Sequence, residues 1–248
     1  MTRTAPATWP AEGARLLEPS IGYALGAVLA VTPEVLSRPT PCRGWDLRML
    51  LRHASESLAA IGEGIEAGRV GLHPAAEDGD LAADPARAFR DRAGQLLDAW
   101  TSPGHQRQAV EIAGCPVAAS VMAAAAALEV AVHGWDINQA CGQRQPIPRA
   151  LATALLEIAL VLVPRTGRHP LFAAPVTVPA TAAPSDRLAA FLGRTPPAIA
   201  HARQWRQTDR SLSQSSAACA TSRQPWSIVS EWPRSGNSMK SVMAGDLW

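Results

Sequence analysis

The sequence predicts an all-α protein, and three observations carry that expectation. Apolar residues recur with a spacing near 3.6 in several segments, breaker-rich links separate those segments, and no alternating run is long enough for a sheet of several strands. At 248 residues and 47% hydrophobic side chains, the chain can bury a real core as one generous domain or as one domain plus an appendage.

The first helix is expected over about residues 11–31. The stretch before and into it, "MTRTAPATWPAEGARLLEPS", lacks a basic segment followed by an apolar one and a small-residue cleavage site, so no secretion signal is read there. After the link "TPEVLSRPTPCRGW" comes a helix over 46–67, announced by "GWDLRMLLRH". Asp46 suits the N-cap, where its carboxylate accepts an otherwise unpaired backbone N–H, and Trp45 can staple onto Leu50. At about 100° per residue, Leu47, Leu50, Leu51, Ala54, Leu58 and Ile61 share one apolar face, with His53 on its flank.

Breaker-rich "GRVGLHPAAEDGD" precedes a third helix over 84–100, and "SPGHQRQAVEIAGCP" follows it, "AVEIAG" being at most one short extended piece. The fourth helix is expected over 116–141 and the fifth over 148–163, with links of a length that permits antiparallel neighbours. Beyond residue 163, "FAAPVTVPATAAPSDRLAAFLGRTPP" has three X-Pro breaks and then a short helical turn, as a small cap would. From 197 onward serine rises, periodicity vanishes and tryptophans appear without a matching aliphatic core. The expected organisation is a helical domain over 10–165, a cap over 166–196 and a disordered or atypical tail over 197–248.

Several function classes fall away on bulk properties. A formal charge of +2 is too small to make nucleic acid the main partner. Lys240 is the only lysine, which fits the arginine-rich usage of GC-rich, actinobacterial coding. Cys42, Cys115, Cys141 and Cys219 have no CxxC spacing and are expected to be free, buried thiols. The longest apolar run is shorter than the roughly 20 residues that span a bilayer, so a cytoplasmic protein without membrane contact is expected.

Chemistry concentrates in "LEVAVHGWD", residues 128–136. Glu129 and His133 stand one helical turn apart, and Asp136 falls on the same stripe, in a run otherwise made of apolar side chains. Burying a lone carboxylate costs several kcal/mol unless it is paired, coordinated or protonated. A divalent metal held by His53, Glu129 and His133 would compensate it and leave a coordination position open, as catalytic zinc sites do. Spacing alone also fits a local Glu–His hydrogen bond, a solvated edge, or a protonated Glu129 on His133. Asp136 can orient an imidazole or simply end the polar face. His73, His105, His169 and His201 read as surface residues, and Cys42 as a small loop residue.

"RPTPCRGWDLRMLLRH", "LEVAVHGWDINQACG" and "DRLAAFLGRTP", in this order and spacing, resemble the DinB-like group that includes the metal-binding domain of mycothiol-dependent maleylpyruvate isomerase. The likeness covers about residues 10–196. It implies an up-and-down four-helix bundle with a short C-terminal cap. It also implies a divalent metal, usually zinc, on the positions matching His53, Glu129 and His133. Relatives of this kind use such sites to handle low-molecular-weight thiols, whose ionisation a metal brings near neutral pH. The implied function is activation of a thiol such as mycothiol, as co-substrate, for S-transfer to a small electrophilic metabolite or for its isomerisation. A non-catalytic metal- or small-molecule-binding protein of the same fold is the alternative. The full-length isomerase has a larger C-terminal domain, where this chain has only the "FLGRTP" cap, so its substrate and that domain's residues do not carry over.

Overall fold

The computed structural model describes residues 13–71, 83–102, 109–168, 171–197 and 199. The expected tail, apart from residues 197 and 199, lies outside the described residues, as do His73, His105, His169, His201 and Cys219. The described residues form six α-helices and a three-stranded sheet. The helices are α1 (Leu17–Val28), α2 (Leu47–Ala67), α3 (Pro85–Thr101), α4 (Ala119–Ala140), α5 (Arg149–Leu162) and α6 (Pro184–Phe191). The strands are β1 (Arg69–Val70), β2 (Ala109–Ile112) and β3 (Cys115–Ala118).

Helix α2 follows from its sequence. Asp46 caps it by accepting the Met49 backbone N–H at 2.8 Å, and every residue of the expected apolar face is buried. Its end is set by Gly68, whose φ of 72° is the left-handed conformation that glycine adopts without a Cβ clash. Helix α3 is capped in the same way, with Asp84 accepting the Arg87 N–H at 2.9 Å.

The sheet corrects the expectation of a wholly helical chain. β2 lies between β1, which runs parallel to it, and β3, which runs antiparallel. β2 buries Val110 and Ile112 while Ala109 and Glu111 face out, so the alternation is real but only four residues long. The turn to β3 is Ala113–Gly114, with φ of 53° and 80°. Two positive φ values in a two-residue hairpin loop mark a type I′ turn, which usually draws Asn-Gly rather than Ala-Gly. Because Cys115–Ala118 pairs with β2, helix α4 begins at Ala119 and not at 116. Pro116 sits in an edge strand, where its missing N–H is tolerated.

Helix α4 is buried on nearly all sides, as expected of a helix that is apolar around its circumference. Helix α1 packs on α4 and α3, while α2 packs on α3 and α4; α5 packs on α4 and carries α6. Small residues allow helices α1 and α4 to approach closely: a Cβ on Gly134 would lie 2.9 Å from Ala24 Cα. At the C-terminal end, Ala173 covers the backbone of Gly193, and the Val176 N–H donates to Ala190 O at 2.8 Å. No helix among the described residues is long and apolar enough to cross a membrane.

Candidate metal centre

His53 is carried two turns into α2, Glu129 and His133 project from α4, and the crossing of those helices brings the three together. Glu129 Oε1 lies 2.9 Å from His53 Nε2 and 3.2 Å from His133 Nε2. The imidazole rings meet edge to face, with centroids 5.0 Å apart. One donor atom from each residue falls within 4.8 Å of the others. Metal–ligand bonds of about 2.0–2.2 Å at tetrahedral angles need donors roughly 3.3–3.5 Å apart, so this set of two nitrogens and one carboxylate oxygen, now at hydrogen-bond distances, would have to part by a few tenths of an ångström to hold a zinc-like ion.

The electrostatics decide the protonation state of the acid. Burial disfavours the Glu129 carboxylate, but His133 and His53 outweigh burial and hold its pKa well below the usual carboxylate range. A protonated Glu129 is thereby disfavoured. Burial likewise pulls the His133 imidazole down, yet Glu129 first, and then Asp136 and Cys42, raise it well above its ordinary value. Ser57, wholly buried, adds a hydroxyl 3.4 Å from Glu129 Oε1. Trp45 lies edge-on to His53 at 4.9 Å between centroids, a contact the staple expectation had not included.

Behind His133 stands a second cluster. Asp136, with no solvent exposure, places Oδ2 3.1 Å from His133 Nδ1, 3.3 Å from Cys42 Sγ and 2.8 Å from Arg194 Nη2. Its Oδ1 accepts from Arg194 Nε at 3.2 Å. Desolvation opposes this charge, and Arg194 and His133 overcome it, so the Asp136 pKa is lowered. An ionised carboxylate can only accept, and Nδ1 of His133 therefore carries the proton that faces it. Cys42, His133 and Asp136 are also close enough to hold an ion. The Arg194 guanidinium already lies against Asp136 and 3.5 Å from Cys42 Sγ, taking the place of a cation there.

Sequence reasoning named the metal trio and Asp136 but missed Ser57, Cys42 and Arg194 as neighbours of the site. Cys42 lies in a loop, as expected, but its thiol also donates to Asp136 Oδ2; Cys115 is exposed rather than buried, while Cys42 and Cys141 are half-buried. The described cysteines are free, as expected. The second landmark, "HGWD", pairs His133 with Asp136 directly, whereas Arg194 lies 58 residues from its partner.

Residues 18–138 match the family model described as the mycothiol maleylpyruvate isomerase N-terminal domain. The chain is also similar to two uncharacterized proteins of Mycobacterium tuberculosis, from strains CDC 1551 and H37Rv. Each is 31% identical over 179 residues, covering 69% of this chain and 92% of the relative. No solved structure matches the chain.

Proposed function

The chain belongs to the mycothiol maleylpyruvate isomerase N-terminal domain family, and on that premise we propose that His53, Glu129 and His133 hold one divalent metal ion, zinc by preference. The helices α1 to α4, each packed on two of the others, form on this reading the up-and-down four-helix bundle of DinB-like proteins. The observation that carries the proposal is a single carboxylate oxygen of Glu129 shared at 2.9 and 3.2 Å by two imidazole nitrogens from different helices.

Held by His53, Glu129 and His133, a zinc ion would supply the Lewis acidity that lowers the ionisation of a small thiol toward neutral pH. The rest is done by the chain. Glu129 stays ionised as a donor because two imidazoles face it, and Ser57 steadies the shared oxygen. Asp136 fixes the His133 ring by accepting a hydrogen bond from its Nδ1–H, which leaves Nε2 toward Glu129. Trp45 shields one side of His53. The substrate pair is a mycothiol-type thiol and a small electrophile, and the reaction is S-transfer or isomerisation.

Metal content by mass spectrometry tests the ligand set, with about one ion expected per chain. His133→Ala should lose both the metal and turnover; full occupancy in that variant overturns the assignment. A panel of low-molecular-weight thiols, mycothiol included, with small electrophiles then separates the readings. Turnover supports the enzyme, and thiol binding without conversion supports a capture protein.

A further inference from the structure

The family match ends at residue 138, yet the carboxylate behind His133 is held from beyond it. We propose that Arg194 is a positioning residue for the metal site, fixing Asp136 in the place from which it clamps His133. This deepens the preceding proposal and rests on its reading of His133 as a ligand.

The geometry is a relay of fixed hydrogen bonds. Arg194 grips Asp136 with two donors, Nε on Oδ1 at 3.2 Å and Nη2 on Oδ2 at 2.8 Å. A forked grip of this kind sets the plane of the carboxylate and not merely its distance, which a lysine ammonium cannot do. Oδ2 then meets His133 Nδ1 at 3.1 Å, and the opposite ring nitrogen faces Glu129. Arg194 is itself held. Its N–H donates to Ala189 O at 2.9 Å at the end of α6, and its Nη1 donates to Leu192 O at 3.3 Å.

The turn before it is built for the purpose. Gly193 has φ of 86°, and a Cβ there would come within 2.7–2.9 Å of Ala173. Any other residue there would be strained and would press on the backbone of Ala173. Without Arg194, the Asp136 carboxylate is free to rotate away from His133 Nδ1, and the imidazole loses its reference direction. A carboxylate partner on a ligating histidine is typically worth roughly 10–100-fold in metal affinity.

The experiment compares the full chain with Arg194→Met and Arg194→Lys. Zinc affinity, measured by competition with a chromophoric chelator, should fall roughly 10–100-fold in Arg194→Met and by about tenfold in Arg194→Lys. Asp136→Asn should weaken zinc similarly, and the double variant Asp136→Asn/Arg194→Met should be no weaker than Asp136→Asn alone, because both act through one chain. In nitrogen-15 spectra of the metal-free protein, a slowly exchanging His133 Nδ1–H signal should be present and should be lost in Arg194→Met. If Arg194→Met does not fold, Arg194→Lys carries both readouts. Unchanged zinc affinity, additive losses, or a retained Nδ1–H signal overturns the role of Arg194. A wild-type chain that binds no zinc but shows the Arg194-dependent signal overturns the metal proposal and leaves the relay standing.

Discussion

Arg168 and Arg194 lie in the same C-terminal stretch, and only Arg194 meets a carboxylate among the described residues. Arg168 is 6% exposed, donates once to Phe191 O at 2.7 Å, and lies between the rings of Phe172 and Phe191, at 5.6 and 5.1 Å. Its Nε and Nη1 are buried without a hydrogen-bond partner among the described residues. Orphaned buried donors offset what the ring contacts contribute. Arg168→Met, which keeps the stem and drops those donors, should therefore change stability by no more than about 1 kcal/mol in urea unfolding. A loss of several kcal/mol would mean that the guanidinium is paired after all. Tyr23 gives a second test. Its hydroxyl donates to Gln145 O at 2.8 Å and accepts from Asn138 at 3.1 Å, and burial pushes its pKa up to about 12. A raised pKa means stability that is intact below pH 10 and lost as pH climbs toward 12, because the unfolded chain ionises first. Tyr23 is the only tyrosine. Its ultraviolet titration should thus show one midpoint near 12 in the folded protein, and a midpoint near 10 would contradict the packing of α1 on the end of α4.

At the scale of elements, the contact of α1 with α4 depends on the absence of a side chain. Gly134 follows His133 directly, and a Cβ there would meet the backbone of Ala24 at 2.9 Å and Ala24 Cβ at 3.1 Å. Backbone cannot step aside as a flexible side chain does. Gly134→Ala gains helix propensity but forces the helices apart, and the net loss should be about 1–3 kcal/mol, read as a lower melting temperature. An unchanged or higher melting point would show that α1 does not lie where described. The same elements show what a sequence makes legible. Helix α2 was readable because one face alternates with solvent at the helical period and Asp46 marks its start. The sheet was not, because strands of two to four residues are too short to establish a period, and Ala113–Gly114 hides a turn that Asn-Gly would have announced. Glu129 and His133 stood out since a carboxylate in an apolar run demands a partner at helical spacing. Cys42 and Arg194 did not, because they reach Asp136 across 94 and 58 residues of chain, and no local pattern encodes such a contact.

For the whole molecule, the proposed metal is a crosslink between distant parts of the chain. His53 and Glu129 are 76 residues apart, and an ion shared by them ties α2 to α4 near the loop that carries Cys42 and the turn that carries Arg194. The folded state alone presents all three donors together, so binding adds directly to stability. At free zinc about 100 times the dissociation constant, the gain is about 2.7 kcal/mol. For a protein of this size that is a rise of roughly 5–10 °C in melting temperature. Stripping the protein with a chelator should remove the rise and returning zinc should restore it. His53→Ala leaves Glu129 and His133 adjacent on one helix but breaks the link between helices, so its melting temperature should hardly respond to zinc. Equal zinc-induced shifts in wild type and His53→Ala would mean that the ion binds elsewhere, and the two-helix site would have to be abandoned.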